Sequence, residues 1–118
     1  MAELRRVAVL VPNLFLRVPI DSAIRGAGAD PESVSTLADA LASHAGVVIA
    51  DLDVLGVDAT GAVRKLVAAG KTVIAFGPHV DAERLRAVRT AGGVALPRSA
   101  FLAKLPELLT AALRPARG

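Results

Sequence analysis

Gly46-Val47-Val48-Ile49-Ala50, closed by Asp51, is the stretch on which the fold turns. It is apolar without interruption and rich in β-branched residues, and it ends on a residue that favours turns. A run of that kind reads as a strand covered on both faces, as in a parallel sheet. The same pattern recurs at Val7-Ala8-Val9-Leu10-Val11 before Pro12-Asn13, and at Thr72-Val73-Ile74-Ala75-Phe76 before Gly77-Pro78. A shorter version, Val94-Ala95-Leu96, precedes Pro97, and a weaker one lies near Glu32 to Ser35.

Helical periodicity fills the intervals. Leu14 to Ala27 has apolar residues at helical spacing and closes at Gly26 and Gly28; Pro19 inside it predicts a kink or a late start. Thr36 to Ala45 places Leu37 and Leu41 on one face, with Thr36 as N-cap. Ala59 to Ala69 groups Val63, Leu66 and Val67 ahead of Gly70, a natural helix stop. Asp81 to Ala91 opens on a capping Asp, and Ser99 to Leu113 carries Phe101, Leu102, Leu105, Leu108, Leu109, Ala112 and Leu113 on the helical repeat. Pro106 within that segment predicts a short first turn ahead of the main helix. Strand and helix thus alternate five times with short connections. Right-handed crossovers then imply an α/β fold: a flavodoxin-like open five-stranded parallel sheet, order 2-1-3-4-5, with helices on both faces. Residues 1–118 read as a single domain.

Composition narrows the function. An apolar fraction of 53% excludes a disordered chain, and the absence of Cys excludes disulfides, thiolate metal sites and thiol nucleophiles. No segment has the roughly 18 consecutive apolar residues of a membrane span, and the N-terminus lacks a signal-peptide layout, so a cytoplasmic protein is expected. Charge is polarised: residues 1–59 carry net −4 and residues 60–118 net +7. Such asymmetry suits an acidic partner or a second copy of the chain, although a solvated helical face explains it equally.

In open α/β sheets, ligands lie outside the carboxyl ends of the strands. The residues there are Pro12 and Asn13, Asp51 and Asp53, Gly77 to His79, and Pro97 to Ser99. Ala50-Asp51-Leu52-Asp53-Val54-Leu55-Gly56-Val57-Asp58 resembles the stretch after the third strand of response-regulator receiver domains, where a phospho-accepting Asp precedes a turn ending in Pro-Gly-x-Asp. Asp51 falls on the acceptor, Leu55 on the Pro, Gly56 on the Gly and Asp58 on the later Asp. Length, the number of strand–helix units and the basic fourth helix also match, so the resemblance covers essentially the whole chain.

That resemblance implies phosphoryl transfer to Asp51 with a metal ion held by an acidic pair after the first strand. The sequence has Val11-Pro12-Asn13 there instead. The family's Thr or Ser after the fourth strand is Gly77, and its Lys after the fifth falls near Arg98 or Ser99. Magnesium needs several hard oxygen ligands, and phosphoryl transfer depends on charge neutralisation around the group. The departures identify a degenerate, or pseudo-, receiver: a stand-alone signalling and interaction module, not an enzyme, with no metal or cofactor. Asp51 then reads as an inactive acceptor position that serves as a strand-ending turn residue.

The resemblance also implies docking of a partner, or a second copy, through the face formed by the fourth helix, fifth strand and fifth helix. Arg84, Arg86, Arg89 and Lys104 lie there beside Asp81 and Glu83. The alternative is a sensor that binds a small anionic ligand or nucleotide in a pocket of Asn13, Asp53, Gly77, His79, Arg98 and Ser99, with the Gly77-Pro78 turn offering backbone N–H groups. Gly26-Ala27-Gly28 closes a helix and is not a dinucleotide fingerprint. His44 and His79, without Cys, do not suggest a transition-metal site. Nucleic acid is not expected as a partner, because Phe15, Phe76 and Phe101 sit in apolar contexts and no recognition module is present.

Overall fold

The computed structural model describes residues 5–78 and 80–114. Five parallel strands, β1 (Arg6–Leu10), β2 (Asp30–Ser33), β3 (Val47–Asp51), β4 (Thr72–Gly77) and β5 (Val94–Pro97), form one sheet in the order β2-β1-β3-β4-β5. The helices are α1 (Leu14–Gly26), α2 (Leu37–Ala42), a single turn α3 (Leu52–Leu55) running into a 3-10 turn (Gly56–Asp58), α4 (Ala59–Ala68), α5 (Ala82–Thr90) and α6 (Arg98–Ala112). No helix among the described residues is long and apolar enough to cross a membrane.

The central strands alternate in size rather than polarity, because both faces are covered. Val7, Val9, Ile49, Ile74 and Phe76 face α1 and α6, where they pack with Ile20, Ile24, Phe101, Leu105 and Leu109. Ala8, Ala50, Ala75 and Ala95 face the other way with Leu10, Val48 and Val73, against Ala40, Val63, Leu66, Leu85 and Val88 of α2, α4 and α5. Phe76 stacks on Phe101 with ring centres 4.5 Å apart, and both rings are fully buried. Phe15 departs from its apolar sequence context: it is 91% exposed.

Both helical prolines are accommodated without a break. α1 starts at Leu14 and not late at Pro19, because the Asn13 side chain accepts from Phe15 N at 2.9 Å. α6 runs unbroken from Arg98 through Pro106, so no separate first turn forms. Pro19 and Pro106 are exposed, so the carbonyls they leave unpaired can reach water. α2 is capped by Thr36, which accepts from Asp39 N, but it stops at Ala42 rather than Ala45. Ser43 turns extended there: its Oγ donates to Glu32 Oε1 and accepts from Ala45 N, and Lys71 Nζ donates to the carbonyls of Ser43 and Ala45. β2 starts two residues before the weak run at Glu32. Its sequence, Asp30-Pro31-Glu32-Ser33, is polar because it forms a sheet edge. α4 stops as expected at Gly70, whose φ of +87° lets Lys71 N reach back to Leu66 O.

Truncating Phe101 to Ala should remove about 3–5 kcal/mol of unfolding free energy in urea titration. Phe15→Ala should stay within about 0.5 kcal/mol of wild type in the same assay.

Candidate functional site

The carboxyl end of β3 holds the one buried charged side chain among the described residues. Asp51 is 7% exposed, and its Oδ1 accepts from Asp53 N at 2.9 Å, capping α3. Burial raises its pKa above 3.8, the ordinary value; the Asp53 N–H opposes this, the Asp53 carboxylate adds to it, and Arg98 and Arg84 oppose it. The ring of charges around Asp51 therefore comes from three segments: the turn after β3, α5, and the start of α6.

Arg84 is the residue that sequence reasoning misplaced. Assigned there to the outer docking face, it reaches into the site, with its side chain 21% exposed. One terminal nitrogen donates to Asp53 Oδ1 at 2.8 Å, and its Nε lies 2.8 Å from Asp81 Oδ2, out of line for a hydrogen bond. Asp81 occupies the N-cap position of α5 but makes no side-chain cap, because its carboxylate turns to Arg84 three residues on. The i, i+3 spacing of Asp81 and Arg84 was the available signal for that pair. Nothing local in the sequence pointed to Asp53, which lies 31 residues before Arg84.

The other candidate residues are divided among separate tasks. Asn13 is exposed and spends its Oδ1 on capping α1. Gly77 is the buried last residue of β4, and a Cβ there would meet Leu52 Cδ1 at 3.4 Å. His79 lies outside the described residues. Arg98 is the first residue of α6 and exposed, with its guanidinium carbon 6.0 Å from the centre of the Phe76 ring. Arg98 and Ser99 line a cleft of about 510 Å³ with Pro78, Pro97 and Leu102. Pro97, in the N-cap position, provides no side-chain cap to α6. On the outer face, Arg86 and Lys104 are exposed, and Arg89 Nε donates to Ala95 O of β5 at 3.0 Å.

These donors do not fit a magnesium ion. The β1 end presents a proline and a capping amide, and Asp53 is held by Arg84. Asp51 alone brings a carboxylate free of cation contact, where an octahedral hard ion wants several oxygens. Among the described residues no three or more His, Cys, Asp or Glu gather as a metal-holding group.

Because Asp51 is held where its neutral form is favoured, its charge costs stability as pH rises through its raised pKa, and the cost vanishes below 3.8. Asp51→Asn keeps the acceptor for Asp53 N–H without the charge. Its melting temperature should match or exceed wild type at pH 7, and the two should converge below about pH 4.

No protein-family model matches the sequence, and no curated relative matches it. Solved structures do resemble it. The BeF3-activated DrrB receiver domain of Thermotoga maritima superposes with a TM-score of 0.77 at 14% identity, covering 96% of this chain and 100% of that one. A response regulator from Hahella chejuensis gives 0.73 at 19% identity, covering 97% and 98% of the two chains. The phosphorylated cyanobacterial phytochrome response regulator RcpA gives 0.72 at 12%, covering 98% of each. At such low identity the likeness is one of architecture: this chain has the flavodoxin-like fold of response-regulator receiver domains.

Proposed function

We propose that this protein is a pseudo-receiver, a non-enzymatic signalling module of the cytoplasm that acts by docking and not by magnesium-dependent phosphorylation. The observation that carries this reading is the bridge from Arg84 to Asp53 and Asp81 beside Asp51. Phosphoryl transfer to a carboxylate needs an ionised acceptor and positive charge free to neutralise the incoming oxygens. Here burial raises the Asp51 pKa, Arg84 already serves Asp53 and Asp81, and the β1 end brings a proline and a capping amide where a metal ion would need carboxylates. The same bridge joins the turn after β3 to α5 and braces the helix against the sheet end.

The docking face we assign is α5, β5 and α6. Arg86, Glu83 and Lys104 are exposed on these helices, Glu83 and Arg86 beside Thr60 and Arg64 of α4, and such mixed charge suits a partner of complementary pattern or a symmetric second copy. A second reading is favoured by the cleft at Arg98 and Ser99, where an uncapped helix N-terminus and a guanidinium could hold a small anion or a nucleotide phosphate.

Incubation with acetyl phosphate and Mg²⁺ should leave the intact mass unchanged. A mass gain abolished by Asp51→Asn would overturn the pseudo-receiver reading. Partner capture through the α5 face should weaken on raising salt from 0.05 to about 0.5 M and on Arg86→Glu. Thermal stability should not respond to phosphate or nucleotides. Stabilisation by roughly 2.7 kcal/mol at a hundredfold excess over Kd, lost in Arg98→Ala, would select the anion sensor instead.

A further inference from the structure

One surface of α1 is left uncovered by the fold. Leu14, Phe15 and Val18 are 76%, 91% and 72% exposed. At 100° per residue they share an arc with Pro19, Ser22 and Gly26, opposite the arc of Leu16, Ile20 and Ile24 that packs on the sheet. The helix is therefore apolar on two sides at its N-terminal half, and only one side has an occupant within the chain. The contrast among the three phenylalanines sharpens the point, since the other two are fully buried.

The arc is also nearly free of charge. Arg17 and Asp21 lie on its flank and answer each other at 3.3 Å, with Arg17 also donating to Ser33 Oγ at 3.0 Å. Arg25 is the one charged residue on the arc, and it lies two turns beyond Val18, about 10 Å along the axis. A partner that recognised this surface by charge would find almost nothing to pair with. A copy of the same arc would find an apolar surface matching its own.

We propose that this arc of α1 is a self-association face, on which a second copy of the chain packs isologously with the two α1 helices crossing near Val18. An isologous contact uses one patch twice, so two uncharged arcs meet without bringing like charges together. The exposed side chains present on the order of 500 Å² per copy. Doubled, that is about 1,000 Å², the lower bound of a specific interface, so the dimer is weak and forms at micromolar or higher concentration. This face is separate from the α5 face, and the inference does not depend on the chemistry of Asp51.

Sedimentation of the full chain from about 5 µM to 1 mM tests it. The expected result is a monomer–dimer equilibrium unchanged or strengthened by salt, shifted at least tenfold toward monomer by Phe15→Glu or Val18→Asp, and insensitive to Arg86→Glu. Both α1 positions are exposed, and circular dichroism checks that the variants stay folded. The chain has no Cys, so Val18→Cys should give a disulfide-linked dimer under oxidation while Lys104→Cys does not. A monomer across the whole range overturns the proposal. So does a dimer that Arg86→Glu and salt dissociate but Phe15→Glu does not, which would place self-association on the α5 face. Loss of binding to a different protein on Phe15→Glu, with no dimer at any concentration, would assign the arc to that partner.

Discussion

β3 has no side chain in water: every residue from Val47 to Asp51 is buried. A strand enclosed in this way fixes what surrounds it. Its neighbours β1 and β4 must also be apolar on both faces, and helices must cover each side. The two core clusters are the two faces of that enclosure, one of Ala, Val and Leu, the other of Val, Ile, Leu and the two stacked Phe. The enclosure also carries Asp51 out of water at the strand's end, and so it sets that carboxyl's chemistry before any ligand is considered.

At that end, a cation from within the chain answers the acidic residues. Arg84 makes charge-assisted contacts with Asp53 and Asp81, and its guanidinium and that of Arg98 both act on Asp51 through space. A divalent ion would leave with dilution or chelation, but a side chain stays at fixed stoichiometry. The turn after β3 and the start of α5 are thereby linked without a bound ion.

The fold was legible because burial on both faces writes itself into uninterrupted apolar runs, as in β1, β3 and β4, and the shorter run of β5 repeated the pattern. β2 was faint because its four residues, Asp30-Pro31-Glu32-Ser33, are polar, which an edge strand tolerates, whereas the other edge strand, β5, keeps an apolar run. The helical prolines misled because their cost depends on whether water reaches the orphaned carbonyl, which a sequence does not display. At the site, Asp51 was legible as a strand-ending residue. The Arg84 contact to Asp53 was not, because it joins residues of two helices, α3 and α5, that only the sheet order brings side by side. Phe15 was misread for the opposite reason: apolar neighbours in sequence, Leu14 and Leu16, suggested a core position, whereas helix rotation turns Phe15 outward.

Both margins of the sheet are defended. β2 carries Pro31 among acidic residues, and on β5 the Ala95 carbonyl is taken by Arg89. Proline offers no N–H to an incoming strand, and an engaged carbonyl is a poorer acceptor. Lateral growth of the sheet by backbone pairing between molecules is thereby disfavoured. In a chain this rich in Val, Leu and Ala, that leaves neither edge open as a template for a further strand.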